Sequence, residues 1–168
     1  YLLAEDFSVY YTGDIGNKPN VTAFKLGDGT DGVNAITRME MRRVTAQRFG
    51  KGVEGYNLAT GFGYLFSNCY FFDWDFGVDL DEVNNITFTD ECYFQSCDIA
   101  LRVSNYVNLN ILGGCVLEIF GDDRLSETQA SKLVVLDDGH GLVVRDCYTE
   151  VGPLLDNGTS TIGGFSIQ

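Results

Sequence analysis

Phe88-Thr89-Asp90-Glu91-Cys92-Tyr93-Phe94 decides the fold, because the chain repeats it at a fixed interval. Leu65-Phe66-Ser67-Asn68-Cys69-Tyr70-Phe71 stands 23 residues earlier, and Ile111-Leu112-Gly113-Gly114-Cys115-Val116-Leu117 stands 23 later. A fourth version, Val143-Val144-Arg145-Asp146-Cys147-Tyr148-Thr149, follows after 32 residues, one period lengthened by nine. Upstream, Met39-Glu40-Met41-Arg42-Arg43-Val44-Thr45-Ala46 fits the same frame with Val44 in the cysteine's place, 25 residues before Cys69. In each version apolar residues lead in, two or three small or polar residues intervene, and a short strand-like run follows the cysteine. A fixed period of roughly 20–50 residues is the mark of a repeat architecture.

The repeat unit is built of strands. Its segments are short alternating runs rich in Val, Ile, Phe, Tyr and Thr. Asn84-Asn85-Ile86-Thr87-Phe88 and Asn105-Tyr106-Val107-Asn108-Leu109-Asn110-Ile111 show polar turn residues feeding such runs. No stretch of 11 or more residues has a clean 3.6 periodicity, which excludes ankyrin and tetratricopeptide units, and the regular leucine string of leucine-rich repeats is missing. Three short strands per repeat predict an all-β chain, a right-handed parallel β-helix whose turns bury their apolar faces only by stacking. The expected organisation is strands or incomplete rungs over 1–35, β-helix rungs over 36–157 with a loop insertion at 121–131, and the start of a further rung or a C-terminal extension over 158–168. The opening Tyr1-Leu2-Leu3 and the strand-like close at Gly164-Phe165-Ser166-Ile167-Gln168 lead us to expect a segment of a longer polypeptide.

Composition limits the function classes. The 168 residues carry 24 acidic and 11 basic side chains, a net charge of −13. That balance argues against nucleic acid, which demands a Lys/Arg surplus, and against anionic membrane surfaces. With 45% hydrophobic residues a core can form, so disorder is excluded. No apolar run reaches membrane-spanning length. The five cysteines have no paired spacing, and His140 is the only histidine, so neither a disulfide framework nor a zinc site is expected. Their predicted role is a buried ladder of small apolar groups. The Gly/Asp runs Gly27–Gly32 and Asp137–Gly141 lack calcium-loop spacing and read as turns. No metal or cofactor is expected.

Alternation along a strand assigns the faces. With the cysteines inward, Phe71, Phe94 and Leu117 point in and Tyr70, Tyr93, Val116 and Tyr148 point out. In the next strand Phe76, Val78, Leu80 and Ile99, Leu101, Val103 form the expected inward set, with Asp79 and Arg102 outward and 23 residues apart. Ten residues beyond Val44, Glu54 takes the matching place, so Glu54, Asp79 and Arg102 are expected in one outward column with strands about 4.8 Å apart. Glycoside hydrolysis needs two carboxylates, one protonated and one ionised. Glu54 and Asp79, with Asp81 two residues along the strand, are the candidate catalytic set. Packing two carboxylates together raises the pKa of one, as an acid catalyst requires. Arg102 would then hold an acidic sugar or orient Asp79. The alternative is a solvent-facing charge ladder in which Asp79–Arg102 is an ion pair of little worth.

Aromatic residues beside acids suit carbohydrate, and Tyr70, Phe72, Asp73, Trp74, Asp75 and Tyr93 are the candidate binding residues. The same exposed rings equally suit a contact between chains. The insertion at 121–131 either walls a groove and supplies Asp122 or Asp123, or is a solvated loop.

On the strength of the repeat, residues 36–157 resemble the parallel β-helix of the pectin-lyase-like superfamily, and their irregular, aromatic, acidic character is similar to bacteriophage tailspikes. The resemblance implies a homotrimeric phage-tail protein of the virion that binds bacterial surface polysaccharide outside the cell and depolymerises it by glycoside hydrolysis. It brings no motif from which a catalytic residue transfers. Two alternatives stay open: a non-catalytic structural or adhesive shaft, and a pectate-lyase-like enzyme. The second is disfavoured because Lys and Arg are scarce on the proposed face.

Overall fold

The computed structural model describes residues 1–14, 21–26, 36–56, 62–72, 76–97, 99–118, 132–150, 155–156 and 162–167. These residues form strands and no helix. In chain order they are β1 (Leu2–Tyr10), β2 (Thr22–Leu26), β3 (Met39–Gln47), β4 (Lys51–Gly55), β5 (Phe62–Ser67), β6 (Tyr70–Phe72), β7 (Phe76–Asp81) and β8 (Asn84–Thr89). They continue with β9 (Tyr93–Gln95), β10 (Ile99–Leu112), β11 (Val116–Glu118), β12 (Lys132–Arg145), β13 (Tyr148–Glu150), β14 (Leu155–Asp156) and β15 (Ile162–Ile167).

Every pairing between them is parallel, and the pairs sort into three ladders. The first joins β1, β3, β5, β8, the second half of β10, the second half of β12, and β15. The second joins the end of β3 to β6, β9, β11 and β13. The third joins β2, β4, β7, the first halves of β10 and β12, and β14. The sequence period is therefore the strand register: Tyr70 pairs with Tyr93, and Tyr93 with Val116. An all-β, wholly parallel arrangement is thus in place, compatible with the expected solenoid. The repeat also starts earlier than residue 36, because β1 pairs with β3 and sets Phe7 opposite Val44.

One core serves all three ladders. Cys69, Cys92 and Cys115 are fully buried in the column that Val44 begins, as expected, and none of the five cysteines forms a disulfide. The Cys92 thiol donates to the Phe66 carbonyl at 3.3 Å, and Cys97 to the Phe71 carbonyl at 3.9 Å. Phe66 stacks on Phe88 at 4.6 Å and Phe71 on Phe94 at 5.2 Å, each one strand apart. Phe88 meets Phe94 edge-on at 5.5 Å, joining the first ladder to the second. Burying each such ring stabilises the fold by roughly 1.5–3 kcal/mol. The third ladder closes on the second through Gly77. A Cβ there would lie 2.5 Å from the Ala100 carbonyl and 2.7 Å from the Phe94 ring, so only glycine admits that ring.

The bends between ladders recur in register. Asp6, Arg43, Asn68, Asp90 and Asp146 all take positive φ (58°, 50°, 51°, 54° and 55°) where the first ladder passes into the second. Glu82, Asn105 and Asp138 repeat this between the third ladder and the first. Short polar side chains tolerate that left-handed conformation better than branched or bulky ones. This explains the polar residues that interrupt each repeat.

Two face assignments need correction. Phe76 and Ile99 are half-buried on the outer side, because each is followed by two consecutive buried residues, Gly77-Val78 and Ala100-Leu101, which shift the alternation by one. Val116 keeps the outer face, in register with Tyr93 and Tyr148, although little of it is exposed.

Candidate functional site

The expected column exists. Glu54 pairs in register with Asp79, and Asp79 with Arg102; Lys25 precedes them and Val135 follows. Its surroundings differ from the expectation. The phase shift that turns Phe76 outward also turns Lys51 outward, in register with it, and brings the ammonium between the two acids. Lys51 forms an ion pair with Glu54 and lies 3.1 Å from Asp79 Oδ2. It donates to the Tyr56 hydroxyl at 2.6 Å, which in turn donates to Asp79 Oδ2 at 2.8 Å. Arg102 grips Asp79 with two nitrogens and lies 4.4 Å above the Phe76 ring. Thr22 completes the set by donating to Glu54 at 3.1 Å.

Asp79 is consequently only 1% exposed, which rules out a plain solvent-facing ladder at this position. Burial alone would push its carboxyl up, but the bonds and charge of Arg102, with Tyr56 and Lys51, hold it below the ordinary carboxylate value. Glu54 behaves alike: burial pushes it up, and Lys51 outweighs burial to bring it down. Lys51 and Arg102 are shifted up by the same contacts. The expectation that proximity raises one carboxyl is therefore not met, because two cations are interleaved with two anions. Both acids are ionised at neutral pH, and the arrangement holds charge without offering a proton. Asp81 stands apart from this network, accepting from Asn105 at 2.9 Å at the exposed bend.

The aromatic candidates divide. Tyr70 and Tyr93 stack in register on the outer side of the second ladder, centroids 5.4 Å apart and planes within 1°. Phe72 adds a third ring, 5.9 Å from Tyr70. All three are half-buried, and Tyr148 is exposed two strands beyond Tyr93 in the same column. Gln95 donates to Glu118 at 3.4 Å beside them. Asp73, Trp74, Asp75, Asp122, Asp123 and the insertion at 121–131 lie outside the described residues.

Sequence reasoning missed a second charged group. Glu40 on β3 is nearly buried between Arg38, at 3.1 Å, and Arg42. Arg38 and Glu40 line a shallow depression of about 430 Å³ together with Phe62, Asn85 and Thr87, while Arg42 contacts Glu40 without lining it. Its signal was present, since Arg38, Glu40 and Arg42 alternate along one strand and so share a face. Among the described residues, no group of three His, Cys, Asp or Glu side chains would hold a metal ion, and no helix is long and apolar enough to cross a membrane. No family model, no curated protein and no solved structure matches the chain.

Proposed function

We propose that the chain is a stretch of right-handed parallel β-helix, of the bacteriophage tailspike kind, that binds bacterial surface polysaccharide on the outer side of the second ladder. Three parallel ladders around one core, with left-handed bends repeated in register, support the β-helix. The observation that carries the binding role is the parallel, stacked Tyr70–Tyr93 pair. Rings stacked one strand apart form a ridge of apolar edges against which a sugar chain can pack, and Gln95 and Glu118 supply polar partners along its border. In this reading the chain acts in a homotrimer on the virion, outside the bacterial cell.

Hydrolysis is not part of the role we propose for Glu54 and Asp79. A general acid must hold a proton near neutral pH, and both groups are shifted the other way. The buried ion network favours a binding, non-catalytic segment.

The test is binding of purified capsular and O-antigen polysaccharides to the wild-type chain and to Tyr70→Ala and Tyr93→Ala. Each replacement is expected to weaken binding by about tenfold, equivalent to about 1.4 kcal/mol. Sedimentation of the same variants checks the competing role. Loss of the trimer with sugar binding intact would make the rings a contact between chains and overturn the proposal.

A further inference from the structure

We propose that the depression lined by Arg38 and Glu40 is an anion-binding subsite that takes the carboxylate of an acidic saccharide, with Arg38 as its cationic contact, Arg42 balancing the charge of Glu40, and Phe62 as its apolar wall. The choice of a saccharide rests on the polysaccharide reading above; the preference for an anion rests on the geometry alone.

The charge distribution points here first. Five of the chain's 11 basic residues, Arg38, Arg42, Arg43, Arg48 and Lys51, fall within one 14-residue stretch of a protein whose net charge is −13. Lys51 is committed to Glu54 and Asp79. Arg43 is committed to Glu5 and Asp6, at 2.6 and 2.5 Å. The pair on Glu40, Arg38 in the wall of the depression and Arg42 on the other carboxylate oxygen, is different. Arg38 and Arg42 keep 64% and 43% of their side chains exposed, while the Glu40 carboxylate between them is 6% exposed. A guanidinium has five N–H donors in a rigid fork. Each arginine makes one contact to Glu40, and the Tyr1 ring lies 5.6 Å from the Arg38 guanidinium, so the forks are held while most of their donors are not used by Glu40.

Glu40 therefore acts as a brace. Its single negative charge opposes two positive ones, so the group presents a net positive charge with its arginines already ordered. Preordering reduces the entropy lost when a ligand is held. Glu5 pairs in register with Arg42, but its carboxylate is taken by Arg43, which keeps it from filling the place of the ligand. The rest of the wall suits a sugar. Phe62 is 60% exposed at the border, and Asn85 and Thr87 offer an amide and a hydroxyl to sugar hydroxyls. A carboxylate presented on a ring matches the arginine fork, since Arg–carboxylate contacts are strong and directional.

The experiment titrates hyaluronan hexasaccharide and oligogalacturonate, their methyl esters and sodium sulfate into the isotopically labelled 168-residue chain, and follows amide shifts at Tyr64, Asn85 and Thr87. The acid sugars are expected to give saturating shifts there and the esters to bind at least about tenfold more weakly. Arg38→Gln and Phe62→Ala should each reduce acid-sugar affinity while leaving the remaining spectrum folded, because both side chains are exposed. The inference is overturned if esters and acids bind alike, if Arg38→Gln changes nothing, if sulfate alone saturates the site as tightly as the sugars, or if neither acid sugar shifts these amides. Binding of polysaccharide that survives Arg38→Gln but is lost in Tyr70→Ala overturns this subsite and leaves the wider reading standing. Absence of binding by every sugar at both faces overturns both.

Discussion

Arg102 holds Asp79 across a single strand step, with Nε 2.7 Å from Oδ1 and Nη2 2.5 Å from Oδ2. A bidentate grip of this kind on a carboxylate with almost no solvent access binds two neighbouring repeats through their side chains as well as their backbones. Removing either partner leaves a charge that water cannot easily reach.

Asp79→Asn should therefore destabilise the chain by about 3 kcal/mol, the lower end of the range for breaking a buried pair, because Arg102 is itself a third exposed. The change leaves Lys51 and Arg102 close together without their shared anion. Glu54→Gln should cost less, since Lys51 keeps Asp79 as a partner. Urea unfolding with a common slope would measure both, and an Asp79→Asn midpoint equal to the wild type would contradict the account.

The same group makes stability depend on acid. Asp79 has a folded pKa below its unfolded value of about 3.9. Its contribution is then complete above that value and disappears as the pH falls through the lower, folded pKa. Stability should be level through neutrality as far as this group is concerned and decline below about pH 4. The Asp79→Asn chain, starting lower, should show a shallower decline over that interval. Thermal unfolding at stepped pH distinguishes the two curves.

Gly77→Val should be among the most damaging single changes outside the charged column. The new side chain would meet the Ala100 carbonyl and the Phe94 ring at distances no atom tolerates. Overpacking of this kind typically costs about 1–3 kcal/mol, and more where backbone is the obstacle. Soluble yield and melting temperature would report it, and truncating the opposing ring in Gly77→Val/Phe94→Leu should recover part of the loss.

Thiol chemistry should distinguish the cysteines by depth. Cys69, Cys92 and Cys115 have no solvent access, whereas Cys147 is half-buried. Contacts with the Cys115 and Cys69 thiols, together with burial, hold Cys92 protonated. An aromatic disulfide reagent should label Cys147 first in the native chain and reach the four buried thiols, Cys97 included, only on unfolding. Rapid native labelling of Cys92 would contradict the buried column.

The bends offer a subtler check. Asn85 and Asn108 both have positive φ, and Asn108 donates to Asn85 across one strand step at 2.9 Å. Asn108→Ala loses the bond and keeps a Cβ in the left-handed conformation, which costs about 1–2 kcal/mol, without the polar side chain that offsets it. Asn108→Gly loses the bond but also removes the Cβ that the left-handed conformation disfavours. The glycine variant should be the more stable of the two, reversing the usual order in strands.

The register was legible because the cysteines mark one side of one strand in successive repeats, so counting between them counts strand steps. That is why the Glu54–Asp79–Arg102 column could be read from spacing. What the column does was not legible. The consecutive buried residues Gly77-Val78 and Ala100-Leu101 break a strict alternation, and a period-two rule cannot see such a break. Phe76 was therefore assigned away from the acids it lies beside, Lys51 was given no place, and the proximity of two carboxylates was read without the cation between them. Tyr56, just past the end of β4, carries no pattern at all; its part is set by the hydroxyl's reach to Asp79. The Glu40 group was legible from alternation, but its net charge is small and the acidic total obscured it.

The uniform register has a consequence for how the chain assembles. Ile86 pairs with Leu109, 23 residues on, and Leu109 with Leu142, 33 residues on. Loop-closure entropy grows only with the logarithm of length, so the longer step costs about 0.3 kcal/mol more than the shorter one. Once two neighbouring repeats have formed, every later closure faces nearly the same entropic barrier and meets a template already in place. Folding should then proceed as zippering from any nucleus, and extra residues between repeats should slow it very little.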